Sequence, residues 1–339
     1  MLRVGIVGFG FMGRMHYKCW QALDGAQVVA ICDSNPNLVE DTKKAVGNIA
    51  GAADEVDFAS LKLFTVYDRF LAEAGVDAIS LALPTHLHAD FSIRALEAGV
   101  HVLCEKPMAL DVDSCQRMVE AAERTGKVLQ IGHCVRFWPE YAHARELVAS
   151  GKYGRVRAAT LQRLSAPPAW AVGGWLADEQ RSGGMILDLH IHDTDYVQYL
   201  LGTPKAVQSR AARGDDGRMI HVVSNYLYDD DKVIIAEGTW AMSPSFGFEM
   251  SFNLMLEGAT LTYDCTRSPA YRVCPVDGEA FTPDVGPGDG YTRQIEHFAR
   301  TIRSEQVPEV LTLAQSLESV RIVLAEVASA KTGKPVSMD

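Results

Sequence analysis

Five stretches early in the chain, Leu2–Val7, Gln27–Cys32, Ala78–Leu83, Val100–Cys104 and Val128–Ile131, are apolar without polar alternation. Runs of this kind suit strands covered on both faces, as in a parallel sheet. Between them the apolar positions take a helical spacing, as in His88–Glu97 and Asp113–Thr125, so the alternation predicts βαβ units. The pattern changes after a helix over Glu140–Ala149 and a stop at Gly151. Arg155–Arg163, Ala206–Ala212, His221–Tyr228, Val233–Met242, Phe248–Glu257 and Thr260–Asp264 mix polar and apolar positions. They predict an antiparallel sheet with one face on helices, with Asp229–Asp231 as one of its tight turns.

The other face of that sheet needs cover, and an uncovered apolar face favours association. A second copy of the chain supplies the simplest cover, so a homodimer or homotetramer built through this sheet is expected. Ala166–Ser182, with its prolines, glycines and two tryptophans, reads as a functional loop. Thr282–Gly290 reads as a linker before two closing helices. The expected architecture is α/β, with a doubly wound parallel sheet over 1–134 and, over 135–339, an α+β domain with a large open, mainly antiparallel sheet.

Composition narrows the function classes. A chain of 339 residues, 47% hydrophobic, buries a large core and fits two domains better than one. Its net charge of −11 argues against nucleic acid as a partner, since phosphate binding needs clustered Lys and Arg. Strand-like residues begin at Leu2, leaving no space for a signal peptide, and no apolar run is long enough for a bilayer. The expectation is a cytoplasmic protein without a membrane partner. The 7 cysteines are odd in number, scattered and never spaced C-x-x-C, so neither disulfides nor a zinc knuckle is indicated. Cys104, beside Glu105, is the one placed to feel a site.

Three motifs carry candidate chemistry. In VGIVGFGFMGRMH, G-x-G-x-x-G follows a strand and opens a helix, and the turn Gly8, Phe9, Gly10, Phe11, Met12, Gly13 suits a dinucleotide pyrophosphate. Gly8 permits the turn, Gly10 admits the phosphates to the backbone, Gly13 lets helix pack on strand, and the helix N-terminus supplies N–H groups. Asp33 ends the second strand, where a carboxylate accepts from ribose hydroxyls and repels a 2′-phosphate. NAD is expected over NADP; the plainer reading of Asp33 is a cap on the turn with Ser34 and Asn35.

Lys106 stands at the end of a strand and before Pro107, where its charge would stabilise a developing alkoxide. In DLHIHDTD, Asp188, His192 and Asp195 at i, i+4 and i+7 share one face if the segment is an α-helix, giving an imidazole a carboxylate to orient it as a general base. His190 and Asp193 then point elsewhere. His86 and His88 follow Leu83-Pro84-Thr85 at another strand end. Alternate residues on a helix diverge, so the H-x-H pairs do not predict a metal site.

From VGFGFMGRMH through LPTHLHADFSIRALEAGVHVLCEKP to SGGMILDLHIHDTDY, the chain resembles the Gfo/Idh/MocA oxidoreductase family over essentially its whole length. The resemblance implies an N-terminal Rossmann domain, a nicotinamide cofactor and a sugar or polyol substrate. It also implies that Lys106, Asp188 and His192 are catalytic, that Pro84, Thr85 and His88 line the nicotinamide end, and that Glu105 is the acid of the Glu-Lys-Pro motif. Two departures stand out: Pro84-Thr85 where the family often has Thr-Pro, and His190 where it has glycine. The reaction expected is oxidation of a secondary ring hydroxyl. Arg136, Arg163, Trp170, Trp175 and Asp178, with Lys106, Asp188 and His192, are the expected contacts to substrate. The competing reading is a sugar or dinucleotide sensor that kept the fold without turnover.

Overall fold

Strands without polar alternation need a layer on each face, and the first part of the chain provides both layers with its crossover helices. The structure, a computed structural model, describes residues 1–42, 56–168 and 172–338. In chain order come β1 (Leu2–Val7), α1 (Phe11–Gln21), β2 (Ala26–Cys32), α2 (Leu38–Thr42), β3 (Lys62–Phe64), α3 (Tyr67–Glu73), β4 (Ala78–Leu81), α4 (His88–Glu97), β5 (His101–Glu105), α5 (Val112–Thr125) and β6 (Leu129–Gly132). Then follow α6 (Pro139–Ser150), β7 (Val156–Ser165), α7 (Glu179–Ser182), a π turn over Ile186–His190 and α8 (Ile191–Leu201). The chain continues with β8 (Ala206–Arg213), β9 (Met219–Leu227), β10 (Val233–Thr239), β11 (Phe248–Leu256), β12 (Ala259–Asp264) and β13 (Tyr271–Pro275). It closes with α9 (Gly290–Ile302), α10 (Leu313–Thr332) and β14 (Val336–Ser337).

These elements form two compact units. The first contains Met1–Cys134 and Asp289–Leu317. Its sheet is parallel throughout, in the order β3-β2-β1-β4-β5-β6. The order reverses between β1 and β4, the switch point at which such sheets bind ligands beyond their carboxyl ends. Helix α5 shows why its segment is helical: Asp111 caps it by accepting from Ser114 N, and Gly126 ends it at φ +65°.

Helix α9 corrects the expectation that everything after residue 134 belongs to one domain. Its apolar residues Ile295, Phe298, Ala299 and Ile302 recur at helical spacing and pack into the core of Val4, Ile6, Trp20, Val28, Ile31 and Leu103. The Trp20 ring meets Phe298 edge-on at 6.2 Å, and its indole nitrogen donates to Ser80 Oγ at 2.8 Å.

The second unit holds Val135–Pro168, Asp178–Gly288 and the chain from Glu318 onward. Its sheet runs β13-β12-β11-β7-β10-β9-β8-β14 and is antiparallel except where β7 meets β10. One face buries Leu161, Ala236, Tyr226, Phe252, Leu254 and Leu261. There Tyr141, Tyr196, Phe252 and Tyr263 form an aromatic cluster with ring centroids 4.7 to 6.2 Å apart. The opposite face is not the apolar surface the strand pattern suggested. Ala158, Val223, Ile235 and Met255 alternate there with Thr160, Gln162, Asn225, Glu237 and Asn253, and Gln162 donates to Glu237 at 2.8 Å.

Because α9 completes the first unit's core, Phe298→Ala is expected to destabilise that unit by about 3–5 kcal/mol, the usual range for emptying a buried aromatic site. Urea unfolding followed by Trp20 fluorescence measures the change. An unaltered midpoint would detach α9 from this core.

Candidate active site

In the first unit the three motif glycines serve three different needs. Gly8 has φ +83°, and a Cβ there would lie 2.4 Å from the Ala82 carbonyl oxygen. A Cβ on Gly13 would come 2.0 Å from Gly8 O, so only glycine lets α1 start this close to β1. At Gly10 a Cβ would meet nothing within 4 Å; the space above it is open. Gly10 is also the N-cap of α1 and offers no side-chain acceptor, leaving first-turn N–H groups to a ligand. The cradle therefore fits a pyrophosphate.

Asp33 is held in place from two sides. Its Oδ2 accepts from Phe9 N at 2.7 Å and its Oδ1 from Asn35 N at 2.9 Å, which fixes the carboxylate between the glycine turn and the turn after β2. Each oxygen retains a lone pair for a hydroxyl. Thr85 is buried at the start of the turn before α4, and its Oγ1 has no hydrogen-bond partner. An unsatisfied buried hydroxyl is a natural acceptor or donor for a bound amide.

Lys106 is partly exposed, and Glu105 and His88 hold the backbone around it. Glu105 Oε2 accepts from Lys106 N at 3.2 Å, and Glu105 Oε1 lies 2.8 Å from Nε2 of the buried His16. Burial pushes the Glu105 carboxyl up, but the His16 hydrogen bond and the nearby His16 and Lys106 charges outweigh it and leave it below its ordinary value. His88 is buried with Nδ1 2.8 Å from Pro107 O and Nε2 2.8 Å from Leu83 O. Both of its nitrogens are thus directed at backbone, so it ties the loop after β4 to the loop after β5 instead of presenting a nitrogen to a ligand. Pro84 precedes that turn as its N-cap. The Cys104 thiol is buried and raised by burial, which makes it inert.

In the second unit, the run 188–195 departs from the uniform α-helix that its spacing suggested. The π turn Ile186–His190 holds an extra residue per turn, and the N–H of Ile191 reaches back to Ile186 O. Asp188 and His192 remain partly exposed, whereas His190, Asp193 and Asp195 turn inside. Asp195 does not join the other two. It is held by Arg136, through Nε at 2.8 Å and Nη2 at 2.7 Å. Asp193 is held by Arg163 at 2.8 and 3.1 Å; burial pushes its carboxyl up and Arg163 pulls it back.

These pairs correct the expected substrate contacts. Arg136 and Arg163 are 1% and 3% exposed and committed to carboxylates, so neither guanidinium presents a fork to a sugar. Asp178 instead caps α7, accepting from Gln180 N. Trp175 lies half-buried in the 3₁₀ segment Val172–Ala177. Trp170 lies outside the described residues. Among the described residues no cluster of His, Cys, Asp or Glu could hold a metal ion, and no helix is long and apolar enough to cross a membrane.

Two residues that the motifs did not single out now matter. His16 ends the quoted glycine stretch, and its burial on α1 is visible only once Glu105 is placed beside it. Glu326 is a lone carboxyl within the apolar run of α10, a signal that the pattern does contain. It is fully buried, and burial pushes it up to about 8.

Comparison with known proteins identifies the family. The profile of the GFO/IDH/MocA oxidoreductase family, NAD-binding Rossmann fold, matches residues 2–133, and that of the GFO/IDH/MocA C-terminal domain matches residues 141–272. An inositol 2-dehydrogenase of Rhizobium meliloti is 30% identical over 87% of this chain and 82% of its own. A D-xylose 1-dehydrogenase (NADP(+)) of Haloferax volcanii is 28% identical over 86% of this chain and 88% of its own. Among solved structures, the WlbA dehydrogenase of Bordetella pertussis in complex with NADH and UDP-GlcNAcA superposes with a TM-score of 0.84 at 22% identity, covering 100% of this chain and 98% of that one. The chain belongs to the GFO/IDH/MocA family of oxidoreductases, with its NAD-binding Rossmann fold in the first unit.

Proposed function

We propose that this oxidoreductase oxidises a secondary hydroxyl of a cyclic polyol or sugar of the inositol or aldose type, using NAD. The observation that carries the reading is the selective exposure of Asp188 and His192. The neighbouring charged side chains Asp193 and Asp195 are buried and paired inward, whereas this carboxylate and this imidazole stay partly exposed. His192 takes the hydroxyl proton, Asp188 orients the ring and stabilises its protonated form, and Lys106 steadies the negative charge that develops on oxygen. The amides of Gly10–Gly13, the Asp33 carboxylate and the Thr85 hydroxyl would hold the dinucleotide. Bound NAD would supply the hydride acceptor. The inositol and xylose dehydrogenases among the relatives support the substrate class.

Asp33 supports NAD over NADP, because a fixed carboxylate repels a 2′-phosphate. A homodimer or homotetramer built through the second unit's sheet would bury Ile235 and Met255 among polar neighbours, in a partly polar interface.

The deciding experiment is spectrophotometric NAD reduction across a panel of inositols, aldoses and other polyols. Dinucleotide binding without turnover on any of them would favour a sensor. His192→Ala is expected to lower the oxidation rate about 10²- to 10⁴-fold, as for a lost general base, with dinucleotide affinity nearly unchanged. Full activity in that variant would remove His192 from the mechanism. Asp33→Ala is expected to weaken NAD binding by about 1–3 kcal/mol, the range for a hydrogen bond to a charged acceptor, and to relax discrimination against NADP. Calorimetric titration of the unmodified protein that found NADP the tighter ligand would reverse the assignment. Light scattering is expected to return a dimer or tetramer, and a particle of 37.0 kDa would leave the sheet face without a partner.

A further inference from the structure

His190 is the side chain that the proposed chemistry leaves unused, although it stands in the chain between Asp188 and His192. It is fully buried in the second unit, on the last position of the π turn. Its ring lies against β10 at Gly238, where an added Cβ would stand 2.8 Å from the ring's Nδ1 and 3.1 Å from its Cβ. Real Cβ atoms do not approach that closely, so the room for this ring exists only because the strand carries glycine. On the other side, His190 Nε2 is 3.5 Å from Glu326 Oε2 of α10. The backbone is held as well as the ring. Thr194 Oγ1 reaches the His190 carbonyl at 3.3 Å, Glu326 Oε1 at 3.1 Å and the Tyr226 hydroxyl at 3.0 Å.

We infer that His190 is a positioning residue for Asp188 and His192: wedged over Gly238 and beside Glu326, it pins the junction between the turn that carries Asp188 and the helix that carries His192. The inference rests on the acid–base assignment made above for that pair. Gly238 on the facing strand supplies the space that this side chain needs. His190 acts by shape and contact rather than by charge. Burial, with the Arg163 and His221 charges, pushes it down to about 3, and burial pushes Glu326 up to about 8, so near neutral pH both are uncharged. The remaining charged groups close to the pair are Asp193 and Arg163, which neutralise each other, and His221, whose ring faces Glu237 at 3.5 Å.

The test is a cycle of His190→Ala, Gly238→Ala and the two combined in the full chain, with two readouts. The first is the titration of the His192 imidazole, followed by NMR without substrate or dinucleotide. The second is kcat with whichever polyol or sugar the unmodified protein turns over. Each single variant is expected to lower kcat about 10-fold or more, since small displacements of a catalytic group have effects of that order. Each should also move the His192 midpoint. In the combined variant, Gly238→Ala is expected to add nothing, because the ring it would displace is gone. His190→Gln, which keeps a polar group beside Glu326, is expected to stay within about threefold of the unmodified kcat, as a conservative replacement at a supporting position does.

Folded single variants with unchanged kcat and unchanged His192 titration would overturn the inference, as would effects that multiply independently in the combination. Should His190→Ala fail to fold, Gly238→Ala and His190→Gln decide the matter by the same readouts. Absence of turnover in the unmodified protein would defeat the functional reading alone, since the His192 titration needs no turnover.

Discussion

A charge enters a protein interior only with a partner, and two such pairings govern the helix that carries the candidate chemistry. Arg136 and Asp195, and Arg163 and Asp193, are buried and doubly hydrogen-bonded. Removing one member of a pair of this kind costs about 3–5 kcal/mol, because the other is left charged and unsolvated. The pairs therefore fix how α8 is rotated against the sheet. That rotation sorts the ionisable side chains of one short run into those facing the interior and the two left partly exposed.

The first unit applies a different constraint to Lys106. Glu105 holds its amide, and His88 stands against the carbonyl of the next residue. His16 in turn fixes Glu105 from α1, the helix that opens on the glycine turn. One set of contacts thus links the backbone that would receive phosphates to the backbone that presents the cation. A preorganised charge of this kind needs no rearrangement when negative charge develops.

Much of this was legible in the residue pattern. Unbroken apolar runs mark the covered strands, and α4 spans the residues its spacing predicts. The glycine turn announces its own geometry, since Gly8 and Gly13 tolerate no side chain. Short, exposed elements such as β3 carry no pattern to read. The place of α9 in the first unit depends on Trp20, a partner far back in the chain, and local periodicity holds no record of it. The run 188–195 misled for a sharper reason. A spacing argument shows which residues can share a face but not which of them meets an interior partner, and Asp195 turns in to Arg136. Arg136 and Arg163 looked available for substrate because a sequence shows charges without showing which are already matched.

The one parallel pairing in the second unit's sheet has a consequence in time. Strand β7 is central, yet its neighbours β10 and β11 are both made much later, with α8 and the β8–β9 hairpin in between. As the chain leaves the ribosome, Asp193, Asp195 and His190 are synthesised before the strands that will shelter them, and Glu326 last of all. Distant pairings of this kind form slowly, since chain entropy is lost before contacts compensate. The contacts on α8 are complete only once α10 has been made, so the helix that carries the candidate residue His192 settles late in synthesis.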